Sequence, residues 1–240
     1  MNTHFTDNSP IIDSSKLQSN KKNKIDGLDL LDNIAPKSIK VVFFDPQYRG
    51  VLDKLNYGNE GINRGRARHN LTQMSEQTII NFIEKIDKVL VPSGHLFLWV
   101  DKFHLCQGVL DWFTNTELCL VDMIVWDKDK LGMGYRSRRK SEYLIVFQKS
   151  PTRAKDVWTN HSIPDVWTEK VIKTHPHSKP INLQKELILA TSSENEYVLD
   201  PAAGGYSVLE ACRLTNRNFI GGDIQYGENW KRKTKKQQWL

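Results

Sequence analysis

The strongest periodicity in the chain runs over residues 75–90. There Ile79, Ile80, Phe82, Ile83, Ile86, Val89 and Leu90 recur at helical spacing behind Ser75, a side chain suited to an N-cap. This predicts an amphipathic helix. Residues 39–44 are an unbroken β-branched and aromatic run ending at Asp45-Pro46, the pattern of a strand buried on both faces and stopped by proline. Pro92-Ser93-Gly94 predicts a turn, and 95–100 a second buried strand. Farther on, the pattern predicts a helix near 103–113, strands near 118–126 and 142–148, and a helix over 183–190. A strand at 197–199, a helix over 208–214 and a strand at 218–222 follow. Helices alternating with short apolar strands predict an α/β domain on a mostly parallel sheet.

Three stretches lack any period. Residues 1–24, rich in Asn, Ser, Asp and Lys, offer little apolar surface to offset ordering and are expected to form a flexible arm. Residues 49–74 form a basic, mobile loop in the same reading, carrying Arg49, Arg64, Arg66 and Arg68, and a structureless loop of that length is usually functional or disordered. Residues 229–240 read as a basic tail, leaving 25–228 as one folded domain. The formal charge of +6 is weak evidence for a nucleic-acid partner, because Lys231, Arg232, Lys233, Lys235 and Lys236 alone supply five positive charges.

A chain of 240 residues buries roughly 70% of its unfolded surface and needs no covalent staple. Cys106, Cys119 and Cys212 are odd in number and widely spaced, which argues against a disulfide scaffold and a zinc module; no metal is expected. No apolar stretch approaches the roughly 20 residues of a membrane span, and the polar start lacks a signal-peptide core, so a cytoplasmic location is expected.

Two strands end alike. Residues 41–44 run into Asp45-Pro46-Gln47-Tyr48, and 197–199 into Asp200-Pro201-Ala202-Ala203-Gly204-Gly205. In open α/β sheets, ligands bind beyond the carboxyl ends of the strands, so both acids point to one site. Small residues at 202–205 let a ligand approach the backbone, and the next helix offers free amides at its start. Asp223, about twenty residues on, ends the next strand as ribose-binding acids do. Taken singly, a Gly pair after a strand is more often a plain turn, and a terminal Asp more often a helix cap. Asp45 and the carbonyl of Pro46 suit the two hydrogens of one exocyclic amine, with Tyr48 as an aromatic face for a base.

In order and spacing these segments resemble the S-adenosylmethionine-dependent amino-methyltransferases of DNA, in the permuted beta class whose catalytic motif precedes the cofactor motif. Asp45-Pro46-Gln47-Tyr48 is similar to the family's DPPY. Trp126-Asp127-Lys128, the 132–136 segment and Ser141-Glu142-Tyr143-Leu144-Ile145 resemble its WxK, GxGxxxR and HE segments. His175-Pro176-His177-Ser178-Lys179-Pro180, then Val198-Leu199-Asp200-Pro201, resemble HPTQKP and VLDPFxGSG, and 218–224 resembles RFIGIDI. Gln47, Ala202, Gly204-Gly205 and Tyr206 depart from the pattern: the missing Phe removes an apolar contact, and Tyr206 either fills that space or narrows it.

The resemblance implies a Rossmann-like methyltransferase fold, mostly parallel with an antiparallel hairpin, in circularly permuted motif order. It implies a catalytic set of Asp45, Pro46, Gln47 and Tyr48. It places Asp45, Lys179, Pro180, Asp200, Pro201 and Ala202, with Gly204, Ser207, Asp223 and Ile224, around S-adenosyl-L-methionine. The implied activity is site-specific methylation of N6 of a flipped adenine in double-stranded DNA, of the restriction-modification type. Asp at the first motif position favours adenine, since cytosine-N4 members more often carry Ser there. RNA-adenine relatives typically end the motif in Trp, and a catalytically inactive DNA-binding subunit is the reading that Gln47, Ala202 and Tyr206 would favour. Arg64, Arg66, Arg68 and the cluster Arg136, Arg138, Arg139, Lys140 are the expected phosphate contacts. Residues 150–174, with Trp158 and Trp167, fall where the family carries its target-recognition segment. The segment is short, so a homodimer or a partner subunit is expected to help cover a full site.

Overall fold

In the computed structural model, which describes residues 11–47, 74–132, 136–170 and 178–224, the apolar runs assemble into a seven-stranded sheet. The elements in chain order are α1 (Gly27–Asp32), β1 (Ile39–Phe44), α2 (Glu76–Val89), β2 (Leu90–Val100), α3 (Lys102–Gln107), β3 (Leu118–Asp127) and β4 (Ser141–Lys149). They continue with β5 (Val166–Thr168), α4 (Ile181–Thr191), β6 (Tyr197–Asp200), α5 (Ser207–Thr215) and β7 (Asn218–Gly221). The strand order is β5-β3-β4-β2-β1-β6-β7. β4 runs antiparallel to β2 and β3, while β1–β2, β1–β6, β6–β7 and β3–β5 are parallel.

β1 is covered on both faces, as its unbroken apolar run predicts. Val42 and Phe44 pack with Leu30, Ile79, Phe82, Ile83 and Ile86 of α1 and α2. Val41 and Phe43 pack with Leu183, Leu187, Val208 and Leu209 of α4 and α5. The crossover from β1 to β2 therefore lies on one face and that from β6 to β7 on the other. Adjacent β1 and β6 mark the point where the connections diverge, which opens a crevice at their carboxyl ends. Asp45 and Asp200 stand there.

Several sequence expectations change in detail. Ser75 caps α2 as predicted, its hydroxyl accepting from the Thr78 amide at 3.1 Å. Pro92-Ser93-Gly94 is a bulge within β2 rather than a turn before it: the register jumps from Ile39 opposite Leu90 to Val41 opposite His95, and Ser93 takes φ 61°. The helix predicted near 103–113 is interrupted by Gly108 at φ 88°, leaving α3 and a 3-10 turn at Leu110–Phe113.

The loose arm expected over 1–24 is a further correction for residues 11–24. Leu17 is 1% exposed. Asn20 exchanges bonds with Phe219, its amide donating to the Phe219 carbonyl and its side-chain oxygen accepting from the Phe219 amide, both at 2.8 Å. Asn23 bridges to Gly222 and donates from Nδ2 to the Gly221 carbonyl at 2.9 Å. The segment satisfies the otherwise open backbone of the β7 edge, which fixes it in place. α1 is then seated against the loop after β6: a Cβ on Gly27 would stand 2.2 Å from the Pro201 carbonyl oxygen, so only glycine fits. Residues 1–10, the loop at 48–73 and the tail at 225–240 lie outside the described residues.

Candidate active site

Asp200 closes β6, and its Oδ1 accepts the Ala202 amide at 3.2 Å, folding the chain into a tight loop. The Ala203 amide reaches the Gly222 carbonyl at 3.0 Å; Gly204 (φ 45°) and Tyr206 (φ 58°) then turn the chain into α5. Asp45, Lys179, Asp200, Ala202, Gly204 and Ser207, together with Phe43, Trp99 and Gln184, line one cavity above this loop. A second cavity of about 380 Å³ opens beside it, lined by Asp45, Pro46, Lys128, Glu142, Tyr143 and Lys179. That volume falls within the roughly 300–1,000 Å³ of small-molecule sites. Asp45, Gln47 and Lys179 line both cavities and form the wall between them.

A chain of alternating charge runs through that wall. Lys179 Nζ lies 3.0 Å from Asp45 Oδ2 and 2.9 Å from Glu142 Oε2, and 4.8 Å above the Trp99 ring. Lys128 pairs with the other Glu142 oxygen and sits 5.0 Å over Trp126, which meets Trp99 edge to face. Burial opposes charge on Glu142, yet Lys179 and Lys128 outweigh it and hold its pKa down at about 2. Burial likewise opposes charge on Lys179, and Asp45 and Glu142 more than offset it, raising its pKa.

Asp200 behaves oppositely. Burial, reinforced by the carboxylates of Asp45 and Asp223, pushes its pKa up to about 8. The unfolded chain ionises Asp200 near 3.8, so the ligand-free protein loses stability as pH rises from about 4 to about 8. Asp200→Asn should flatten this limb and stabilise the ligand-free protein at pH 8 by on the order of a few kcal/mol. Urea melts at pH 5 and pH 8 measure it, and an unchanged difference between the two pH values would refute the assignment.

The expected residues distribute unevenly around the two cavities. Asp45, Gln47, Lys179, Asp200, Ala202, Gly204 and Ser207 meet in the first, and Pro46 lines the second. Pro180 is the N-cap of α4, and the Pro201 carbonyl faces Gly27. Asp223 follows β7, its amide donating to the Asn23 carbonyl at 3.1 Å, and Ile224 is 50% exposed beside it. Tyr206 is buried, its hydroxyl donating to the Asn23 carbonyl at 3.0 Å and its ring meeting Phe219 edge to face, so it fills interior space. Tyr48, Arg64, Arg66, Arg68 and His175-Pro176-His177 lie outside the described residues.

The second cluster of basic residues reaches the site. Arg138, Arg139 and Lys140, together with Lys102, line the second cavity, while Arg136 is exposed on the preceding loop. Arg138 Nε is held by the Gly132 carbonyl at 3.0 Å, the Arg139 guanidinium lies 5.9 Å over Phe103, and Lys140 pairs with Asp127 at 2.8 Å. The tryptophans of the 150–174 segment serve packing: Trp158 rests on His95 and Phe97, and Trp167 packs against the core beside α4. The Trp167 indole donates to Glu169, whose carboxylate also accepts the first-turn amides of Asn182 and Leu183. Sequence reasoning gave no role to Lys128, Trp99, Glu142 or Gln184.

The fold is of the Rossmann-like class, with two cavities that share one wall at the carboxyl ends of β1 and β6. Residues 39–236 match the N6_N4_Mtase family, described as DNA methylase, and the chain belongs to that family, whose members methylate adenine N6 or cytosine N4 in DNA. The type II methyltransferase M.HhaII of Haemophilus parahaemolyticus is 59% identical over 212 residues, covering 88% of this chain and 93% of its own. Among solved structures, the M1.HpyAVI–SAM complex superposes with a TM-score of 0.60 at 18% identity, over 85% of this chain and 92% of that one. The cytosine-N4-specific PvuII DNA methyltransferase gives 0.65 at 15% identity, over 85% and 81%. These two establish the likeness of fold.

Proposed function

We propose that the chain transfers a methyl group from S-adenosyl-L-methionine to the exocyclic N6 of an adenine flipped out of duplex DNA. The observation that carries this reading is the position of Asp45, an acid in the wall between the loop cavity and the larger cavity. The lining of the loop cavity, whose volume is about 30 Å³, suits the amino-acid end of a zwitterionic nucleoside. Its lining combines the Lys179 cation with the Asp200 carboxyl and the unpartnered Gln184 Oε1, and small residues at 202–205 admit close approach to the backbone. Bound there, the cofactor supplies an already electrophilic methyl group.

The remaining work is positioning and charge. An adenine amine is a weak nucleophile because its lone pair is delocalised into the ring. Asp45 and the Pro46 carbonyl each take one of its hydrogens, which turns the lone pair out of conjugation and sets a carboxylate beside the charge that develops on nitrogen. The proton leaves after transfer, so no strong base is needed. Lys179, 3.0 Å from Asp45 Oδ2, holds that carboxylate in place, Tyr48 stacks on the base, and Arg138 and Arg139 neutralise phosphates at the rim. A carboxylate at the first motif position supports adenine over cytosine.

Methylation-sensitive single-molecule sequencing of DNA from cells with and without the protein tests the assignment. N6-methyladenine in one sequence context is the expected result. N4-methylcytosine would move the target to cytosine, and the absence of any modified base would overturn the enzymatic reading.

A further inference from the structure

Gln184 is 1% exposed on the face of α4 that also carries Leu187, Ile188 and Thr191, each 2% exposed or less. An amide in such a setting normally finds a partner, because an unpaired buried acceptor carries its full desolvation penalty. Among the described residues, Gln184 Oε1 has none. The residue lines the cavity that contains Lys179, Asp200, Gly204 and Ser207, so the orphaned oxygen belongs to the wall of a binding site.

The charge around it selects the missing donor. Lys179, the cation in that lining, is engaged by both Asp45 and Glu142. Asp200 is a second buried acceptor in the same wall, and burial together with neighbouring acids keeps its carboxyl protonated to about pH 8. An unpaired amide oxygen beside the Asp200 carboxyl, which an arriving cation helps to ionise, suits an ammonium, which brings three N–H donors and a charge.

We propose that Gln184 is a binding residue for the α-ammonium of the cofactor's methionine part, its Oε1 accepting one N–H and fixing the amino-acid end above the Asp200 loop. This rests on the proposed function and assigns one atom of its cofactor site. The same contact makes Gln184 a specificity determinant, because a nucleoside thioether without the amino acid leaves Oε1 unpaired.

Calorimetric titration with S-adenosylhomocysteine and with 5′-methylthioadenosine, which lacks the amino-acid part, tests this without turnover. Gln184→Met is expected to weaken S-adenosylhomocysteine binding about 10- to 100-fold, the range of a hydrogen bond to a charged group, with methylthioadenosine binding unchanged. Gln184→Glu keeps an oxygen acceptor and should keep the wild-type preference for S-adenosylhomocysteine. It carries the test alone if the Met variant does not fold, since a collapsed preference in it would overturn the proposal. Equal loss of both ligands in Gln184→Met, or no loss, would also overturn it. Wild-type protein that binds neither ligand would instead overturn the function on which the inference rests.

Discussion

Asp45→Ala is expected to lower methyl transfer by about 10³-fold or more, while binding of S-adenosylhomocysteine weakens only a few-fold. The rate loss follows from removing the group that both takes an amine hydrogen and stabilises the developing cation, and single preorganised groups of this kind contribute about 10² to 10³. The smaller binding loss follows from the lining: Lys179, Asp200, Gly204 and Ser207 remain, and Lys179 retains its 2.9 Å bond to Glu142. Asp45→Asn separates charge from shape, since it still accepts one hydrogen bond but offers no charge to the cation; it should stay within about tenfold of the Ala variant. Single-turnover rates with radiolabelled cofactor, beside calorimetry, give the two numbers. Turnover near the wild-type rate in Asp45→Ala would remove Asp45 from the chemistry.

The parts of this architecture that were legible in the sequence are those whose information is local. β1 and β6 are short runs buried on both faces, each ending in Asp-Pro, and α2 carries its own cap and apolar stripe. Asp45 and Asp200 follow from them, because the carboxyl ends of adjacent parallel strands must meet. What escaped depends on contacts distant in sequence. α1 has six residues, and its position is set by the approach of Gly27 to Pro201. Asn23 finds the Gly221 carbonyl 198 residues away, a pairing that no periodicity encodes, so a polar segment that looks loose is held at the β7 edge.

Within the site, the same distinction explains the misses. Glu142 is the second residue of β4 and Lys128 lies in the loop after β3; both fall in matched motifs, but their pairing becomes visible only when β3 and β4 are aligned, with Trp126 opposite Glu142. Gln184 did leave a local trace. It is a polar residue in register with Leu187, Ile188 and Thr191 on a buried helical face, where burial without a ligand is costly. A polar residue on an apolar stripe is thus as informative as a motif.

Lys179→Met should have the largest effect on stability, because it removes the positive charge shared by two carboxylates. The lysine side chain is 12% exposed, with Asp45 at 25% and Glu142 at 28%. Breaking a buried pair costs about 3–5 kcal/mol, and the partial exposure of both acids lowers the expected loss at pH 7 to about 2–4 kcal/mol. The pH dependence identifies the cause. In the wild type, Glu142 ionises near 2 when folded and near 4.5 when unfolded, so its contribution is present above about pH 4.5 and is lost as pH falls towards 2. Without Lys179 that contribution largely disappears, and the stabilities of the two proteins converge in acid. Adding Glu142→Gln to Lys179→Met deletes the stranded carboxylate and should recover part of the loss, whereas Glu142→Gln alone destabilises. Urea melts of the four proteins at pH 7 and pH 3 close the cycle. Additive single effects, or a loss that is the same at both pH values, would show that the lysine acts through packing against Trp99 and not through charge.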